Sequence, residues 1–204
     1  MHISEGILSA PVLLGGAALA VAGTAVGLKR LDYERLMSAA MLSAAFFAGS
    51  LVHVPVGPGN AHLILNGLLG LLLGWGAFPA IFTALLLQAV LFQYGGLTTL
   101  GVNTLIMAGP AVLCSYVFSP WLLRSAAQRR AGAFCCGALS VAGAALLAAL
   151  ALSYSEEGFL RSAQILCLTH IPIMLAEGVI TALVVGFMLK VRPEMLHPGA
   201  FGGA

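Results

Sequence analysis

Charge is what this sequence has least of. Asp, Glu, Lys and Arg make up 8% of its 204 residues, against about a quarter in a soluble domain, so a water-facing shell around an apolar core is excluded. The only two lysines, Lys29 and Lys190, are followed by Arg30 and Val191. A phosphate-binding loop of the Gly-x-x-x-x-Gly-Lys-Ser/Thr type is therefore missing, and the chain does not hydrolyse ATP through one. No His-Glu-x-x-His occurs either, which removes the commonest intramembrane zinc-protease signature. The four cysteines, Cys114, Cys135, Cys136 and Cys167, fall in apolar segments without Cys-x-x-Cys spacing. They read as small apolar residues rather than a zinc site or a disulfide framework. The opening residues lack the basic stretch and small-residue cleavage motif of a signal peptide, so the first apolar run reads as a retained span and Met1 as the mature N-terminus.

What is present is apolar: 60% of residues are hydrophobic and the mean hydropathy is +1.03. Runs of roughly 20 such residues span a bilayer core as helix, and without alternating strands a barrel is excluded. The sequence predicts an all-α integral membrane protein, one transmembrane domain over residues 1–204. Seven spans are expected: about Ser9 to Leu28, Leu36 to Val52, Ala61 to Leu73, Phe78 to Tyr94, Val102 to Leu123, Ala131 to Leu152 and Ala163 to Leu189. The third is short, a half-span or tilted element joined to the fourth by Gly74-Trp75-Gly76, and Pro110 and Pro120 are expected to kink the fifth. In the first span, small residues four apart (Gly16 with Ala20, Ala18 with Ala22, Gly23 with Gly27) allow close helix approach, within the chain or to a partner subunit.

Basic residues set the orientation. Lys29, Arg30, Arg35, Arg124, Arg129, Arg130, Lys190 and Arg192 fall on one side of such a seven-span layout and only Arg161 on the other. The positive-inside rule makes the first side cytoplasmic, with the N-terminus outside and the C-terminus inside. The protein is thus expected in the cytoplasmic (inner) membrane as a multi-pass protein. Residues 1–9, 55–61 and 95–101 then share the outer face. These outer loops are glycine-rich and carry little charge, as backbone that folds into the protein would require.

Met1-His2 brings three nitrogens within reach of one cation: the α-amine, the His2 amide and the near imidazole nitrogen. They close adjoining five- and six-membered rings in a plane once amine and amide are deprotonated, which a strongly polarising late transition metal brings about. The alternative is an unstructured chain end. His62, at the outer end of the third span after a Pro/Gly turn, is either a helix-end residue or the fourth nitrogen. Four planar nitrogens suit nickel(II) or copper(II), and less directly cobalt(II). Asn60, Asn66 and Asn103 are candidates to hold imidazole tautomers by hydrogen bonds, or else they cap helices. His170 and Glu177, seven apart in the last span, form a possible intramembrane polar pair for an ion path, or a structural one. His53 lies in the same outer region without a motif around it.

Met1-His2-Ile3-Ser4-Glu5-Gly6, the turn from Pro55 to His62, the run from Gln88 to Asn103 and the stretch His170-Ile-Pro-Ile-Met-Leu-Ala-Glu177-Gly178 together resemble the CbiM/NikM family. These are the metal-binding membrane subunits of energy-coupling-factor transporters for nickel and cobalt. The turn before His62 is one residue shorter than the family pattern and has Ala61 where Ser or Thr is common. The resemblance implies a non-enzymatic subunit that captures Ni2+ or Co2+ from outside, with the Met1 amine, His2 amide, His2 imidazole and His62 imidazole as ligands and no resident cofactor. It also implies a transmembrane coupling subunit, cytoplasmic ATPases and a small separate membrane subunit as partners, and no nucleic acid. An autonomous secondary transporter or channel is the alternative.

Overall fold

A backbone inside hydrocarbon must satisfy its own N–H and C=O groups, and this chain does so by helix almost throughout. The computed structural model describes residues 2–51, 53–56, 59–155 and 160–191, of which 53–56, 59–61 and 160–163 by backbone alone. Among them are α1 (Ala10–Arg30), α2 (Tyr33–Leu51), α3 (Asn66–Leu73), α4 (Ala77–Phe92), α5 (Leu100–Phe118), α6 (Ala126–Ser153) and α7 (Leu160–Val191). Five segments are long and apolar enough to cross a membrane: Ala10–Arg30, Asn66–Phe92, Leu100–Leu123, Ala126–Ser153 and Gln164–Val191. The helix α2, 19 residues with Glu34 in its first turn, is not among them.

The structure is all-helical as expected apart from one short hairpin, and three details of the spans change. Strands are present: β1 (His53–Val56) and β2 (Gly59–His62) form an antiparallel hairpin in which His53 pairs with His62 and Val56 with Gly59. Pro55, Gly57, Pro58 and Gly59 disfavour helix over this stretch of the sequence. The third helical element consequently begins at Asn66 rather than Ala61, after Leu65 has turned into the left-handed region at φ 53°. The sixth begins earlier than the apolar run, at Ala126, because Ser125 and Gln128 close a capping box around its first turn. Arg129 and Arg130 therefore belong to α6 and not to a loop. In the fifth segment Pro110 lies inside α5, while Pro120 falls after its end, in the 3-10 turn Ser119–Leu123.

The α3–α4 segment is a reversal and not a straight rod. Asn66 at the start of α3 donates to the carbonyl of Met107, at mid-height of α5. Gly70 packs on the Ala111 carbonyl one turn further along, and the Trp75 indole reaches Tyr116 Oη near the end of α5 at 2.7 Å. From there α4 returns, so that Gln88 lies beside Ser50 and His2. Every residue of α3 is buried; it is a half-helix enclosed by α5, α6 and α4. The small residues of α1 serve this internal packing: Gly16 receives Val102, Gly23 the Phe78 ring and Gly27 the Trp75 carbonyl and Pro79. Ala18 and Ala22 lie on the exposed side of the helix.

Gly70 has no room for a side chain, because an added Cβ would meet backbone rather than a movable side chain. Gly70→Leu should destabilise the bundle by about 3 kcal/mol or more, read as an earlier thermal aggregation midpoint in detergent. Gly15→Ala, on the open side of α1, should leave the midpoint unchanged.

Candidate metal centre

The N-terminal segment is held as a packed element. Ile3 and Leu8 are buried against Val102 and Ile106 of α5 and Ala144 and Ala148 of α6, each burial contributing about 1.5–3 kcal/mol. Asn103 of α5 pairs with Ile3 as a strand would: its Oδ1 accepts from the Ile3 N–H at 3.0 Å and its Nδ2 donates to the Ile3 carbonyl at 3.1 Å. Glu5 Oε1 accepts from the Thr98 N–H at 3.0 Å and the Thr98 hydroxyl at 3.2 Å. These bonds hold the Glu5 carboxyl below the ordinary carboxylate range. Gly95 and Gly96, at φ +77° and +142°, bring the α4–α5 connection flush against the segment, with Glu5 occupying the space a Cβ on Gly96 would need.

His2 is fixed at the end of this segment by a relay through Gln88. The Gln88 amide nitrogen donates to Ser50 Oγ and, at 3.5 Å, to the Phe47 carbonyl, so its Oε1 faces His2 as an acceptor. The 2.7 Å contact from Oε1 to His2 Nε2 therefore needs a proton on Nε2. That leaves the lone pair on Nδ1, the nitrogen nearest the main chain and the one a chelate with the His2 amide would use.

His62 arrives from the other side. It ends β2, is 7% exposed, and donates from Nδ1 to the Leu63 carbonyl at 3.1 Å, so its lone pair is on Nε2. Beyond it residues 63–65 are neither helix nor strand, and the N–H groups of Ile64 and Leu65 are both taken by Glu177 Oε1 of α7, the second at 2.9 Å. The His2 and His62 rings lie with centroids 5.2 Å apart, and both line a cavity of about 440 Å³ together with Tyr94 and His170.

The structure brings some predicted residues together and separates others. His2 and His62 meet; Met1, and the side chain of Asn60, lie outside the described residues. Asn66 and Asn103 bond main chain instead of imidazole: Asn66 donates to the carbonyls of Met107 and Ser140 and accepts from the Gly67 N–H. His170 and Glu177 are not a pair. His170 donates to the Leu166 carbonyl of its own helix at 2.7 Å, whereas Glu177 holds the segment after His62; Pro172 and the helical path put their heads on different tasks. Sequence reasoning missed Gln88, Ser50 and Glu5 as supports. A glutamine among the apolar residues of α4 is the signal that could have found the first. All four cysteines are free thiols. Among the described residues no three His, Cys, Asp or Glu side chains gather to hold a metal ion, so two imidazoles are what the described side chains contribute at this centre.

The chain's residues 2–195 match the family described as the cobalt uptake substrate-specific transmembrane region, CbiM. It is 44% identical over 200 residues to a putative metal transport protein of Haemophilus influenzae, covering 97% of each. It is 32% identical to the fused nickel transport protein NikMN of Rhodobacter capsulatus, matching 97% of this chain and 64% of that one. A crystal structure of a truncated transition metal transporter superposes with a TM-score of 0.79 at 29% identity, over 94% of this chain and 99% of the other. The histidine-bearing N-terminal segment, the enclosed half-helix and the whole-length match together place this multi-pass membrane protein in the CbiM family.

Proposed function

We propose that the chain captures nickel(II) or cobalt(II) at the outer membrane face for an ATP-driven energy-coupling-factor importer. The observation that carries this reading is the fixed tautomer of His2 facing His62. One imidazole offers Nδ1, adjacent to a main-chain amide that a late transition metal can deprotonate, and the second offers Nε2 from a ring 5.2 Å away. The α-amine of Met1 and the amide of His2 complete four nitrogens in a plane, a geometry that leans to nickel. The chain crosses the membrane seven times in this reading, α2 making one crossing and the irregular residues 63–65 with the half-helix α3 making the third, with the N-terminus outside and the basic ends of α1, α5, α6 and α7 inside. The coupling subunit, paired ATPases and small extra membrane subunit are separate chains; the fused nickel transport relative named above is consistent with membrane subunits that work in contact. The rival reading, a self-sufficient carrier or channel, needed His170 and Glu177 as a shared ion path, and each is hydrogen-bonded elsewhere.

In this reading the Met1 amine is a ligand, so inserting one alanine between Met1 and His2 should abolish tight nickel and cobalt binding while every side chain remains. Isothermal titration of the purified subunit reads this, with His62→Ala expected to weaken binding strongly. Undiminished affinity in the extended protein would refute the amine-led site.

Gln88→Leu removes the acceptor that fixes the His2 tautomer. Metal affinity should fall by about 10–100-fold with unchanged stoichiometry, and the bound ion's visible spectrum should broaden as the plane distorts. Metal uptake by cells should require co-expressed coupling and ATPase subunits; accumulation by this chain alone at the same rate would favour the self-sufficient carrier.

A further inference from the structure

At the opposite end of the bundle from His2, the first turn of α6 and the last turns of α7 border a crevice of about 680 Å³. Arg129, Arg130 and Lys190 line it, and among the described residues no carboxylate does. Its remaining wall is apolar, from Ala182 and Val185 to Gly186 and Leu189. Gly186 is open, with nothing within 4 Å of where a Cβ would stand, so the wall is a channel and not a filled seam. This channel runs into an exposed apolar stripe on α7 that passes from Leu168 through Leu175 and Leu183 to Phe187 and Val191.

Three cations at the head of a hydrocarbon-facing groove match one class of molecule in both its parts. We propose that this crevice binds an anionic phospholipid, its phosphate on Arg129, Arg130 and Lys190 and the upper part of an acyl chain along Ala182 and Gly186. Basic pockets between membrane helices recognise such headgroups by charge-assisted hydrogen bonds, and the N-terminal end of α6 adds its dipole to the same point. A soluble phosphate would use the cations and leave the channel unfilled. An acidic segment of a partner protein would have to carry its carboxylates to the level where lipid phosphates already lie. The anionic lipid needs neither, and α7, the helix whose Glu177 secures the segment after His62, is the helix it would brace.

Native mass spectrometry of the full chain released from detergent, titrated with phosphatidylglycerol or with phosphatidylcholine, tests this. One phosphatidylglycerol should be retained, with a rise of several degrees in the thermal midpoint, and phosphatidylcholine should give neither. Arg129→Gln, Arg130→Gln and Lys190→Gln combined should weaken retention by roughly a hundredfold. Gly186→Phe keeps every charge and should also lose the lipid, since it fills the channel. Each variant should bind nickel at the outer site as the parent does, which shows that it has folded. Equal retention of both lipids, an undiminished response in the triple variant, or the same stabilisation by inorganic phosphate alone would overturn the proposal. So would retention of an acidic partner segment that excludes the lipid.

Discussion

Unsatisfied backbone is the constraint on which this structure turns. Metal-binding loops are irregular by necessity, and irregular backbone at membrane depth costs several kcal/mol for each exposed polar group. The chain resolves the conflict with side chains standing in for backbone partners. Glu177 supplies one carboxylate oxygen to two successive N–H groups where the hairpin gives way to α3. Asn103 does the same for Ile3, giving an acceptor and a donor to a single residue as a neighbouring strand would. Asn66 satisfies carbonyls of α5 and α6 at the level where α3 begins. Glu177 and Asn103 sit in apolar helices to serve segments that are not helical, whereas Asn66 ties the start of α3 to two neighbouring helices.

The same economy explains why the two imidazoles are well determined. Each has one nitrogen committed to a protein acceptor, Gln88 for His2 and Leu63 for His62, so the other nitrogen's chemistry is decided before any ion arrives. Neither of these two commitments is to a carboxylate. The packing behind them is close: the α4–α5 connection lies on the N-terminal segment through two glycines, and α1 lies on α4 and α5 through three more.

The helical elements were legible because apolar runs and breakers are local signals. Errors arose where a local rule was outweighed by a longer-range one. Ala61 to Leu65 looked like the start of a span by composition, but hairpin pairing with residues 53–56 and the Glu177 bonds hold it out of helix. Arg129 and Arg130 fell outside the sixth span because its start was read from the apolar run, and the Ser125–Gln128 cap begins the helix earlier. His2 and His62 could be singled out from position and motif. Their supports could not be matched to them, since Gln88 lies 86 residues from His2 and Glu177, singled out as a partner for His170, secures Ile64 from 113 residues away. Asn66 and Asn103 showed the converse: their type and region suggested imidazole partners, and only the three-dimensional register reveals that main chain claims them.

The burial of Ile3 and Leu8 between α5 and α6 has a bearing on how the protein comes into being. Synthesis makes the N-terminal segment first, yet its docking surface begins at Val102 and is complete only after Ala148, and the carboxylate that secures the His62 segment follows still later in α7. While the intervening helices are being inserted, the two histidines have no fixed relation to one another. The centre is therefore among the last parts of the molecule to exist, and a polypeptide released before its final helix carries both histidines without the means to hold them together.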